Sequence, residues 1–104
     1  MDNFKAVYRI LNFLKKSEQY DEFDDERFNP KHFELTDRQF ARTLERMIDD
    51  QHVKGIAIKF GADDYPAISL SDPRITSKGL EYLEENSLMR KAAKLAKGIR
   101  EVLP

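Results

Sequence analysis

A chain of 104 residues with 40% hydrophobic composition is of single-domain size and can bury one modest core, so residues 1–104 are read as one domain. Its 18 basic and 19 acidic side chains leave a formal net charge of −1, which excludes a global field drawing the chain to nucleic acid. The absence of cysteine excludes disulfide and thiol chemistry, no apolar run approaches the roughly 18 residues of a membrane span, and Met1 to Lys5 lack the plan of a signal peptide; the expectation is a cytoplasmic protein.

The first helix is expected to start at a cap near Asp2 or Asn3, with Phe4, Val7, Tyr8, Leu11 and Leu14 on one inward stripe and Arg9, Lys15 and Lys16 pointing away. The connection that follows carries Glu18, Asp21, Glu22, Asp24, Asp25 and Glu26 with no base among them, and reads as a solvated loop or frayed helical end. It is a poor calcium loop, because Phe23 stands where a second ligand belongs and Glu26 where the turn needs glycine. Asn29 as cap and Pro30 at the first helical position predict a short helix ending near Leu35.

Thr36 opens a longer helix with Gln39 three residues on, the spacing at which cap and glutamine exchange hydrogen bonds. Phe40, Leu44, Met47 and Ile48 form its buried face, and the helix ends between Gln51 and Val53, with Gly55 as the exit. The period then falls to two. Ile56, Ile58 and Phe60 alternate with Ala57 and Lys59, Ile68 and Leu70 flank Ser69, and Gly61 to Pro66 supply turn residues, which together predict an antiparallel hairpin ended by Asp72 and Pro73.

Thr76 or Ser77 caps the next helix, where Leu80, Tyr82 and Leu83 give apolar contacts. Gly79 weakens it by up to about 1 kcal/mol against alanine, so close backbone packing against the hairpin is expected there. A last helix over residues 88–104 carries Leu88, Ala92, Leu95, Ile99 and Val102 at heptad-like spacing, with Arg90, Lys94 and Lys97 behind. That seam is a packing element against the first helix or a homodimer seam. The expected core is Phe40, Leu44, Ile48, Ile58, Ile68, Leu80 and Leu83.

The order of these elements resembles the winged-helix proteins, and more narrowly the YjcQ-like family of uncharacterised phage and prophage proteins. The resemblance rests on Leu35 to Phe40 leading to Leu44 to Val53, and on Ile75 to Asn86, and it covers the chain up to Ser87. The fold class it implies is mainly α with a small β-hairpin: a winged helix-turn-helix body over residues 1–87 with an additional C-terminal helix. It also implies a fold often used to place a helix in the major groove of double-stranded DNA.

On this chain the residues that would meet DNA are Arg38, Arg42 and Arg46: a turn of 100° per residue sets Arg38 and Arg42 opposite Phe40, with Arg46 beside them. Guanine edges and phosphates are the targets of such arginines. Glu45, Asp49 and Asp50 share that face and Asp63 and Asp64 fall in the hairpin turn, so any binding is expected to be weak, sensitive to salt and poorly discriminating. The alternative is a protein-protein interaction module, homodimeric or with another partner, that binds no DNA. His32 and His52 belong to no metal-spaced pair, and no phosphate loop or nucleophile elbow is present; neither catalysis, a cofactor nor a small-molecule substrate is expected.

Overall fold

The structure is a computed structural model that describes residues 3–63 and 65–87, with side chains from Lys5 onward. Helix α1 spans Asn3–Ser17, helix α2 Asp37–Asp49, strand β1 Val53–Phe60 and strand β2 Pro66–Ile75, and a third helix, α3, covers residues 77–87. The two strands form one antiparallel hairpin between α2 and α3. No helix among the described residues is long and apolar enough to cross a membrane. The expected cap at Asp2, the side chain of Phe4, Asp64, and the whole seam Leu88, Ala92, Leu95, Ile99 and Val102 lie outside the described residues.

The core lies between α1, the inner side of α2 and the base of the hairpin. Val7, Leu11 and Leu14 are buried along α1 as the stripe predicts, while Tyr8 is half-buried. Ala6 and Ile10 are buried as well, because α1 is covered over a wider arc than a three-and-four stripe. On α2, Phe40, Leu44 and Met47 are buried beside Ala41 and Thr43, with Ile48 partly buried. Leu83 is in the core, Ile58 and Ile68 pack on it from the hairpin, and Leu80 is exposed, one turn before Leu83 on α3.

The short helix expected over Asn29 to Leu35 is a single turn. Its start is as the residues dictate: Asn29 Oδ1 accepts from the His32 amide at 2.8 Å and Pro30 opens the turn. Glu34 then turns left-handed at φ 58°, and the Leu35 amide reaches back to the Pro30 carbonyl at 2.9 Å, which closes the segment as a helix C-terminus would. So short a segment cannot repay the cost of helix nucleation. Phe33 anchors it instead, buried against Phe40 and within 5.6 Å, ring to ring, of Phe13.

The hairpin is longer than the alternation alone predicts. Gly55 is inside β1 rather than at the helix exit, and Asp72 and Pro73 are inside β2 rather than at its end. Pairing runs from Phe60↔Pro66 to Ile56↔Leu70, shifts register, and resumes at Lys54↔Arg74 and Val53↔Ile75, so Gly55 alone opposes Ser71, Asp72 and Pro73. The bulge accommodates a proline that a regular ladder would reject. Gly55 has φ +78°, and a Cβ on it would lie 2.5 Å from the Asp72 carbonyl oxygen, so glycine is required on both counts.

Candidate functional site

Helix α2 is fixed at both ends, which determines what its outer side can present. The Thr36 hydroxyl accepts from the Gln39 amide at 3.1 Å and the Gln39 side chain accepts from the Thr36 amide at 2.9 Å, the reciprocal cap expected from the spacing. At the other end Gln51 is left-handed and the His52 amide bonds the Met47 carbonyl at 2.9 Å. Thr76 then ties this exit to α3: its amide bonds the His52 carbonyl, its hydroxyl donates to the Gln51 carbonyl, and it also caps Gly79. A Cβ on Gly79 would collide with the His52 carbonyl oxygen and stand 2.8 Å from Ile75 Cγ1. The close packing expected at Gly79 is therefore against the α2 exit as well as the hairpin.

With Phe40, Leu44 and Met47 turned inward, Arg38, Arg42 and Arg46 are exposed on the outer side of α2, one turn apart and spanning about 12 Å of helix. Arg42 is held at two points. Its Nη1 is 3.1 Å from Glu45 Oε1, and its guanidinium carbon lies 4.2 Å from the centre of the Phe60 ring at the end of β1. Among the described residues neither Asp49 nor Asp50 is ion-paired with Arg46, so one of the neutralising contacts suggested by the sequence is formed. Such an exposed pair three residues apart is worth only about 0.2–0.5 kcal/mol.

The hairpin reaches the same side of α2. The Tyr65 hydroxyl donates to Asp37 Oδ2 at 3.1 Å, which ties the hairpin tip to the first turn of the helix. That hydrogen bond, with the Asp37 charge next, raises the Tyr65 phenol above its ordinary value of 10.0. The tip is closed by the Gly61 amide on the Tyr65 carbonyl, and Asp63 Oδ1 accepts from the Tyr65 amide. Helix and hairpin thus make one face, of arginines, an acidic rim and two aromatic rings. Phe60 and Tyr65 carry it along with the arginines, and the residues alone did not single them out: Phe60 reads as one more member of an alternating strand, and Tyr65 as a turn residue.

A second feature lies at the end of α1. A cleft of about 750 Å³ runs from the end of α1 under the acidic loop, floored by Phe13 and rimmed by Lys16, Tyr20, Asp21, Arg27 and His32. Arg27 is paired with Asp24 across 3.3 Å. Among the described residues no group of three or more histidine, aspartate or glutamate side chains could hold a metal ion.

The sequence model of one protein family, described as YjcQ protein, matches residues 8–102. The chain belongs to the YjcQ family, and the match runs through nearly all of it. No curated protein and no solved structure matches the chain.

Proposed function

We propose that this YjcQ-family chain is a winged-helix domain that docks α2 and the hairpin on duplex DNA, α2 as the major-groove helix and the hairpin as the wing. The element order supports the fold: α1, the turn after Asn29, the capped α2, the hairpin and then α3. The observation that carries the reading is the row Arg38, Arg42 and Arg46 on the outer side of α2, with the hairpin tied to that same side at Phe60 and Tyr65. A helix and a hairpin joined this way present one surface to a duplex.

Binding of this kind is weak and sensitive to salt, because Glu45 and Asp37 offset part of the charge and few phosphates can be neutralised. Each phosphate contact adds about 0.9 to the logarithmic salt slope on duplex DNA. Titration of duplex DNA at several salt concentrations tests it: replacing Arg38 and Arg42 with alanine lowers affinity and flattens the slope by up to about 2, with circular dichroism unchanged. No duplex binding by the native chain at low salt, or the same slope in the double variant, removes this reading. A second reading, a protein-interaction module, is favoured by the Arg42–Glu45 pair and by Asp37 and Asp63 on the same face, which suit a partner of mixed charge better than a polyanion.

A further inference from the structure

Residues 1–87 carry 13 bases and 18 acids, whereas residues 88–104 carry five bases, Arg90, Lys91, Lys94, Lys97 and Arg100, and one acid, Glu101. The acids of the larger part are not spread evenly. Glu18, Asp21 and Glu22 stand together where α1 ends, and among the described residues none of the three is in an ion pair, although Asp24 is matched by Arg27 and Asp72 by Arg74. These carboxylates rim an apolar groove. The cleft of about 750 Å³ over Phe13 shares Phe13, Lys16 and His32 with a hollow of about 200 Å³ that reaches back along α1 to Tyr8, and it shares Ser17, Tyr20 and Asp21 with one of about 350 Å³ that reaches Phe23 and Pro73. Phe13 and Phe23 keep part of their surface open along it, and Tyr20 is 72% exposed. Open aromatic surface with a polar rim marks a place where another element docks.

Residues 88–104 match this groove in polarity, length and charge. On the helix expected there, the seam from Leu88 to Val102 runs about 21 Å. From Tyr8 to Ser17 the groove follows about 14 Å of α1 before continuing past Tyr20 to Pro73. At 100° per residue Lys91 falls about 60° to one side of the centre of the seam and Arg100 about 120° to the other, so both long side chains can reach a rim while the seam faces the floor. The described residues end at Ser87, beside the buried Asn86, and the 17 that follow extend up to about 56 Å, more than the width of about 30 Å of a folded body of this size. A segment tethered so closely meets the groove at a roughly millimolar effective concentration, which favours it over a second copy in micromolar solution.

We propose that residues 88–104 dock in this groove of their own chain, with the apolar seam on the aromatic floor and Lys91 and Arg100 at the acidic rim. The docking is independent of the DNA reading. It commits the most basic segment of the chain to the chain's own acidic loop.

The sequence contains no tryptophan, so Tyr20→Trp places a single fluorescent reporter in the groove. For the full chain the expected result is emission to the blue of tryptophan in water, slow quenching by acrylamide, and the sedimentation mass of a monomer. In that background Lys91→Glu with Arg100→Glu shifts the emission to the red and speeds quenching, and adding Asp21→Lys with Glu22→Lys restores both. Leu95→Asp gives the red shift through the seam instead, with near-UV circular dichroism showing that the rest of the chain is still folded. Emission like that of free tryptophan in the full chain, or blue emission that neither the charge reversals nor Leu95→Asp alters, overturns the docking. Emission that follows Leu95→Asp but not the reversals, or that the compensating lysines do not restore, overturns the pairing at the rim. Blue emission from a species of dimer mass, lost on dilution, overturns the assignment to the same chain in favour of a second copy.

Discussion

The two sides of α2 are held by different physics. Inward, Phe40 joins a cluster in which the rings of Phe13, Phe23, Phe28 and Phe33 meet at 5.4–6.0 Å, mostly edge to face, beneath a loop with little regular structure. Outward, the hairpin touches the helix through Arg42 on Phe60 and Tyr65 on Asp37, contacts made by side chains that are mostly open to water. Ring pairs contribute about 0.5–1.5 kcal/mol each beyond their buried area, whereas the hairpin contacts lie in water, which screens them. Stability is therefore concentrated on one side of the helix and adaptability on the other. A face held together so lightly can exchange its internal partners for a ligand's at small cost, while the inner side keeps the helix in place.

Cutting into the inner side is expected to give the largest effect. Leu44 is fully buried at 0% exposure, so Leu44→Ala loses about 2–5 kcal/mol in urea unfolding. A loss below 1 kcal/mol would show that the cluster can close over the gap, and the contrast between the two sides would be weaker than the packing indicates.

A sharper test lies at the junction of α2, the hairpin and α3. In an exposed helix Gly→Ala gains stability, because alanine is the better helix former by about 1 kcal/mol. At Gly79 the sign reverses, since a Cβ would meet the His52 carbonyl oxygen and Ile75, and overpacking of that kind costs about 1–3 kcal/mol. Thermal unfolding of Gly79→Ala reads the sign directly. A rise in Tm would mean that the α2 exit and α3 are not in the contact described here.

How much of this was readable in the residues follows the same division. Thr36 with Gln39 and the alternation through Ile58 are local signals, and the structure carries both; Gly79 reads locally only as a residue that weakens its helix, and the reason for it, the approach of the His52 carbonyl and Ile75, is tertiary. The phenylalanine cluster is not local: Phe13, Phe28 and Phe33 share no period, and only the fold of the loop brings them together. Pro73 reads as a strand end because a proline breaks a regular ladder, and the bulge opposite Gly55 is a two-strand property that neither strand announces alone. Leu80 reads as core by type, yet Leu83 one turn later takes the inward position. At the candidate site the arginines follow from helical spacing, while Phe60 and Tyr65 depend on how the hairpin lies along α2.

The smallest expected effect belongs to the hairpin latch, and its sign is set by the Tyr65 phenol. The hydrogen bond to Asp37 exists only while Tyr65 is protonated, and it raises the phenol above 10.0 in the folded chain. A group raised on folding adds stability that is fully present below its unfolded value and is lost as pH rises through its folded one. The latch is thus closed at neutral pH and opens only above the ordinary tyrosine range. Phenolate absorbance followed against pH, native chain minus Tyr65→Phe, isolates this group from Tyr8, Tyr20 and Tyr82, and the difference curve is expected to have its midpoint above 10.0. Tyr65 is exposed, so the same variant leaves Tm nearly unchanged at neutral pH, while freeing the hairpin tip from α2. A midpoint at or below 10.0 would mean that the tip is not tied to Asp37 in solution, and that helix and hairpin meet a ligand as two surfaces instead of one.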